Sequence, residues 1–213
     1  MWFQPRRRGG DGGGDGDGCA PLCRAGAGAA RCTGGWELLM AFEDPAVAEH
    51  RRSVCAARYL LLPAAARQQL DVLARCTGEL LQAPVAVVSA VTDCAVHHLG
   101  QHGVRGWAAR TRAVPVEFSF CPATVSAGGT HVIVDARADE VHRANPLVER
   151  SQMISYAGVA LRDRSGLVIG THCVIDACPR RFGGHELRLL QEAAQQVQQL
   201  LHRWARPARE APW

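Results

Sequence analysis

The hydrophobic period of this chain changes twice, and that change limits the folds open to it. Between Ala64 and Leu81, the residues Leu70, Leu73, Leu80 and Leu81 recur with Ala66, Ala74 and Thr77 at helical spacing. At Val85–Val91 the spacing gives way to the run Val-Ala-Val-Val-Ser-Ala-Val, whose β-branched content reads as a central strand. The helical period returns over His185–Trp204, with Leu187, Leu190, Ala194, Val197, Leu201 and Trp204 on one face and Gln and Arg opposite. Helices therefore bracket strands.

The stretches between follow from local rules. Asp44-Pro45 is a helix start, and Pro63 stops that helix near Leu61. A weak strand is expected at 95–100 and a loop over 101–115. Residues 116–120 suit a short strand or the approach to a helix, and Cys121-Pro122 breaks a strand ladder. His131–Asp135 reads as a strand after Gly128-Gly129, and 138–148 as a short helix or structured loop. Ser155–Leu161 and Leu167–Asp176 flank the Asp163–Gly166 turn as a β-hairpin. The sum is an α+β plan: a mostly antiparallel sheet with helices before and after it. No GxGxxG or GxxxxGK[ST] entrance follows a strand, so nucleotide folds of the doubly wound kind are excluded.

Residues 1–35 are expected to be a disordered Gly/Asp-rich tail: eleven of the residues from Gly9 to Gly35 are Gly, which leaves little apolar surface to offset ordering. A single domain over 36–205 and a short tail over 206–213 complete the division. The nine Cys are scattered without a small-domain framework, which suits a reduced, cytoplasmic chain. No apolar run is long enough to cross a membrane. The net charge is +4, supplied on the basic side by Arg alone. Those Arg residues are dispersed and no helix has a basic face, so nucleic-acid binding is not expected.

The common catalytic motifs HExxH, GxSxG, HRD and DFG are absent. Cys19, Cys23 and Cys32 lack zinc spacing, so no metal is expected. His97, His98 and His102 cluster in a loop-like stretch, where a solvated loop is the plainer reading than a metal site. Cys121 sits at an element end, either exposed to oxidant or packed beside Phe118 and Phe120. On the strand around His172, alternation puts Ile169, Thr171, Cys173 and Ile175 on one face. It puts Val168, Gly170, His172 and Val174 on the other. Both faces are apolar enough to be covered, so His172 needs a hydrogen-bonding partner. Gly170 marks a bulge or a close approach. Cys173 and Cys178 could pair only if the turn between them folded back. Asp135, Asp139 and Asp176 are expected to order loops through amide hydrogen bonds.

The series Phe120-Cys121, Val132-Ile133-Val134-Asp135-Ala136, Asp139 and Asn145-Pro146-Leu147-Val148 resembles that of a GAF domain. So do Tyr156-Ala157-Gly158-Val159-Ala160-Leu161, Gly170-Thr171-His172-Cys173-Val174-Ile175-Asp176 and Pro179-Arg180. The likeness is to the bacterial subgroup found in sensor kinases, cyclic-dinucleotide enzymes and phosphatase regulators, and covers about residues 45–204. It implies terminal helices packed on one face of the sheet, often as a parallel dimer. On the other face it implies a loop-covered pocket, lidded by residues 118–156. Cys121, Asp135, Asn145, Tyr156 and His172 would belong to that pocket or hold its lid.

The sequence departs from the subgroup at four places. Ala123 stands for a His, Ile154-Ser155 for Arg-Phe, Ala160 for Pro and His172 for Leu, so a positive pocket group is missing and an imidazole is added. The Asn-Lys-Phe-Asp-Glu series of cyclic-nucleotide binders is absent, as is the cysteine arrangement of the free methionine sulfoxide reductases. No bilin or haem attachment is marked, and the cofactor is left unknown.

The functional expectation is a stand-alone regulatory or sensory module. It would bind an unidentified small molecule and signal through a homodimer or a partner protein. The ligand would be anionic if Arg105, Arg110, Arg112 and Arg137 serve it. Leu38, Leu39 and Phe42 would add apolar surface for such a contact. One alternative is a thiol redox sensor or small reductase using Cys121, Cys173 and Cys178. Another is an interaction subunit with a collapsed pocket.

Overall fold

Pro45 opens the described chain in the first turn of a helix, where its missing N–H is not needed. The computed structural model describes residues 45–151 and 153–204. The expected tails, with Asp44, Cys19, Cys23, Cys32, Leu38, Leu39 and Phe42, lie outside the described residues. Helix α1 (Pro45–Ala57) ends in a 3₁₀ turn (Arg58–Leu61), and α2 spans Ala64–Leu80. Next come β1 (Val85–Val91), β2 (Ala95–His102), α3 (Gly106–Thr111), β3 (Ala113–Pro115) and a 3₁₀ turn at Val116–Phe118. Helix α4 (Cys121–Ala127), β4 (Thr130–Ile133) and α5 (Pro146–Ser151) lead to the hairpin β5 (Ser155–Arg162) and β6 (Val168–Asp176). Helix α6 (Gly184–Trp204) closes the described chain.

The strands form one sheet in the order β3-β2-β1-β6-β5-β4, with every neighbouring pair antiparallel. Strands β1 and β6 occupy the centre, and all seven residues of β1 are buried. On one face α1, α2 and α6 supply Ala56, Leu70, Ala74, Leu190, Val197 and Leu201, packed on Val88, Leu99, Leu161 and Val174. On the other, Val87, Val91, Cys173 and Tyr156 meet Phe120, Cys121, Ile133 and Ala136 from the connections. The α+β plan with helices on one face and loops on the other is the one expected. No described helix is long and apolar enough to cross a membrane.

Two local expectations are corrected and one open alternative is decided. Residues 101–115 are not a loop: β2 runs on to His102, and α3 and β3 follow. Arg112, in a left-handed conformation (φ 51°), turns the chain from α3 into β3. Its guanidinium grips both carboxylate oxygens of Asp71 on α2. Second, of the two readings of 116–120 the approach to a helix holds: Cys121-Pro122 starts α4, because proline is tolerated in a helix's first turn, and Gly128 (φ 65°) ends it. Third, Ile169 packs on the helix face with Leu161 and Val174, not beside Thr171. In the β5–β6 register Leu161 pairs with Gly170 and Arg162 with Val168, so Ile169 is the extra residue of a bulge that inverts the alternation. Gly170 serves both expected purposes there. A Cβ on it would lie 1.8 Å from the Ser89 carbonyl oxygen of β1.

Candidate functional site

The face opposite the helices is covered by the segments on either side of β4, with Val116, Phe120, Cys121, Val125, Ala136 and Leu147 packed over β1, β6 and β5. Asn145 holds this lid at both ends of its side chain. Its Nδ2 donates to the Ser119 carbonyl at 3.1 Å, while its Oδ1 accepts from the Leu147 amide at the start of α5. Asp139 accepts from the amides of Val141 and His142. Asp135 accepts from the Arg137 amide and pairs with its guanidinium, which holds the half-buried carboxyl below its usual range. Asp176 accepts from the Ala177 amide. All three carboxylates order loops, as expected.

Under the lid the space is filled. Tyr156 and Phe120 are fully buried, and their rings meet edge to face at 5.7 Å. His142 stands against Phe120 at 5.4 Å and His131 against His142 at 5.9 Å. The Tyr156 hydroxyl and Thr124 Oγ1 are 2.6 Å apart, which ties β5 to α4. Gly158 follows on the same face, where a Cβ would lie 2.1 Å from the Tyr156 hydroxyl. Tyr156 thus lies along its own strand because residue 158 has no side chain. His131 Nε2 is buried here without a hydrogen-bond partner. His131 and His142 complete the ring cluster. Sequence reasoning missed both, since a histidine at a strand start and another in a turn carry no spacing that joins them.

Cys121 enters from the first turn of α4 and Cys173 from the middle of β6, placing their sulfurs 3.9 Å apart. Thr171 Oγ1 donates to Cys121 Sγ at 3.2 Å and lies 2.9 Å from Ser89 Oγ on β1. The Cys173 thiol and the hydroxyls of Ser119, Thr171 and Ser89 stabilise a thiolate on Cys121 against the cost of burial, lowering its pKa to about 6. The same contact and burial push Cys173 well above the usual thiol range. Cys178 stands apart: it is exposed, and its carbonyl accepts from Ser155 Oγ.

His172 does not join this site. It lies between Thr171 and Cys173 but points to the opposite face, 0% exposed, toward α2. Nδ1 is 3.1 Å from the Val87 carbonyl and Nε2 2.9 Å from Thr77 Oγ1. A carbonyl only accepts, so Nδ1 donates and Nε2 accepts from the Thr77 hydroxyl. Burial lowers its pKa to about 4. The expected polar partner is therefore protein, from the helix layer.

His97 and His98 pair with successive residues of β1 and point to opposite faces. No group of three His, Cys, Asp or Glu among the described residues could hold a metal. Two of the candidate anion-binding arginines are matched by carboxylates, Arg112 with Asp71 and Arg137 with Asp135. A groove of about 550 Å³ runs between α2 and α6, lined by Gln68, Val72, Leu73, Gln196, Leu200 and Arg203 among others. A hollow of about 290 Å³ lies beside Asp71, Arg75 and His102. Neither includes residues 118–156.

Known proteins share this architecture. A cyclic di-GMP phosphodiesterase of Pseudomonas aeruginosa is 28% identical over 156 residues, which is 72% of this chain and 26% of that protein. The chain thus spans about a quarter of its curated relative. The type II free methionine-R-sulfoxide reductase of Thermoplasma acidophilum superposes with a TM-score of 0.53 at 14% identity, covering 67% of this chain and 95% of that one. The GAF domain of an Acinetobacter phosphoenolpyruvate-protein phosphotransferase does so at 0.52 and 13%, covering 75% and 94%. At such identities the likeness is one of fold. The GAF domain family itself matches residues 66–201, most of the chain and every strand of the sheet. The chain belongs to the GAF domain family.

Proposed function

We propose that this chain is a regulatory module that acts by pairing with a second copy of itself through its helical face. The observation that carries this reading is the apolar surface left on that face. Val47 and Val54 on α1 are seven residues apart and exposed; Val72 and Leu80 on α2, eight apart, are exposed too. Val72, at 47% exposure, lines the groove between α2 and α6. Helices with an apolar stripe on the solvent side are surfaces for other helices.

The signal would enter on the other face. A small molecule that displaced Phe120 and His142 would meet His131 Nε2, a buried polar atom with no partner. Such a ligand acts only by binding one lid arrangement more tightly than the other.

Sedimentation velocity tests the pairing. The wild-type chain is expected to sediment as a dimer at micromolar concentration, and Val72→Glu as a monomer with unchanged circular dichroism. A wild-type monomer throughout that range would overturn it. Native mass spectrometry of protein purified from its own host tests the ligand, with a bound mass expected on the folded chain.

A further inference from the structure

We propose that Cys121 and Cys173 form a reversible disulfide that latches the lid helix α4 to central strand β6. The sulfurs are 3.9 Å apart; a bond needs them at about 2.05 Å, so the two side chains must close by roughly 2 Å. The two cysteines are fifty-two residues apart in sequence and belong to different layers, so the bond would join lid to sheet. The surroundings single out the attacking group. A relay from Ser89 to Thr171 to Cys121 ends on Cys121 Sγ, and hydrogen bonds donated to a sulfur favour its thiolate. The thiol beside it belongs to Cys173, in place to resolve the product.

The oxidant is a hydroperoxide, ROOH. The Cys121 thiolate attacks the distal oxygen, the O–O bond breaks, and ROH leaves after taking up a proton, giving Cys121–SOH. Cys173 sulfur then attacks Cys121 sulfur and hydroxide leaves, taking the Cys173 proton to form water. In sum, two thiols and ROOH give one disulfide, ROH and water: the cysteines lose two electrons and the peroxide gains them. A small dithiol reverses the change by exchange. Cys121 is 3% exposed, so the reaction waits on lid opening and the product then holds the lid shut. The bond forms within one chain and does not rest on the dimer reading.

Hydrogen peroxide is the probe. Wild-type protein is treated, unfolded, alkylated at free thiols and mapped by peptide mass. A peptide pair joined through Cys121 and Cys173 is expected. Alkylation of both should fall at least fivefold and return with dithiothreitol, while Cys178 stays alkylatable in the dilute protein. In Cys173→Ala the oxidation should stop at a sulfenic acid on Cys121, trapped by a cyclic dione. Full alkylation of both cysteines after treatment, or crosslinks only among Cys76, Cys94 and Cys178, would overturn the proposal. The wild-type map decides this even if the variant does not fold.

Discussion

At His172 a single ring proton has to serve two neighbours. The Val87 carbonyl takes it, and the Thr77 hydroxyl turns to the bare nitrogen, giving up the Leu73 carbonyl 2.9 Å away. Charging this ring in place is costly, which is why its pKa falls to about 4. The unfolded chain, with a histidine pKa near ~6.5, therefore binds the proton first. Stability from this group is complete above pH 6.5 and is lost as pH falls toward 4. At pH 5 the loss is about 2 kcal/mol relative to neutral pH. Urea titrations at pH 7 and pH 5 are expected to show a loss about 2 kcal/mol smaller in His172→Leu than in wild type, the remaining loss coming from His97, His98 and His131, which burial also shifts down. A second residue-scale prediction concerns Gly158. In Gly158→Ala the new methyl meets the pinned Tyr156 ring, costing about 1–3 kcal/mol of unfolding free energy. The same change should cost less in a Tyr156→Phe background, because the hydroxyl is the nearest atom. The sequence made His172 legible as a covered polar group needing a partner. It did not make its role legible, since a resemblance that placed the strand near the lid says nothing of which side of the strand a given side chain serves.

At the scale of elements, the long periodic segments were readable and the short ones were not. Helices α2 and α6, β1 and the hairpin follow from spacing and turn residues, within a residue or two of where they lie. Helices α3 and α4 are a turn or two long and lack an apolar stripe, so their order comes from contacts made across the fold. Arg112 with Asp71 and Tyr156 with Thr124 are such contacts. Register is equally non-local, which is how the bulge at Ile169 escaped simple alternation. Arg180 joins three elements. Its guanidinium donates to the Leu81 carbonyl past the end of α2, to Asp176 at the end of β6 and to Glu186 in the first turn of α6. Arg180→Met keeps the stem and removes these bonds, and is expected to cost about 1–3 kcal/mol in denaturant unfolding. Arg180→Lys should restore only part of it, since a single nitrogen cannot span acceptors that the guanidinium reaches from two separate nitrogens.

For the whole molecule, the class and the family were legible because they depend on the order of elements and on spaced motifs. The state of the lidded face was not. The motif series that implies a pocket is the same whether the lid stands open or is filled, and here Phe120 and Tyr156 fill it. Dimer formation belongs to this scale too, and the Val72→Glu comparison above addresses it without touching the core. The two cores meet only across the sheet, and β6 is their common wall: Thr171 and Cys173 face the thiol chemistry while His172, between them, carries the hydrogen bond to α2. Three consecutive residues share one backbone, so a pull on the strand from the thiol side acts on the backbone that also carries the imidazole. A disulfide on the thiol side would therefore pull on the same stretch of strand that holds the His172–Thr77 hydrogen bond on the other.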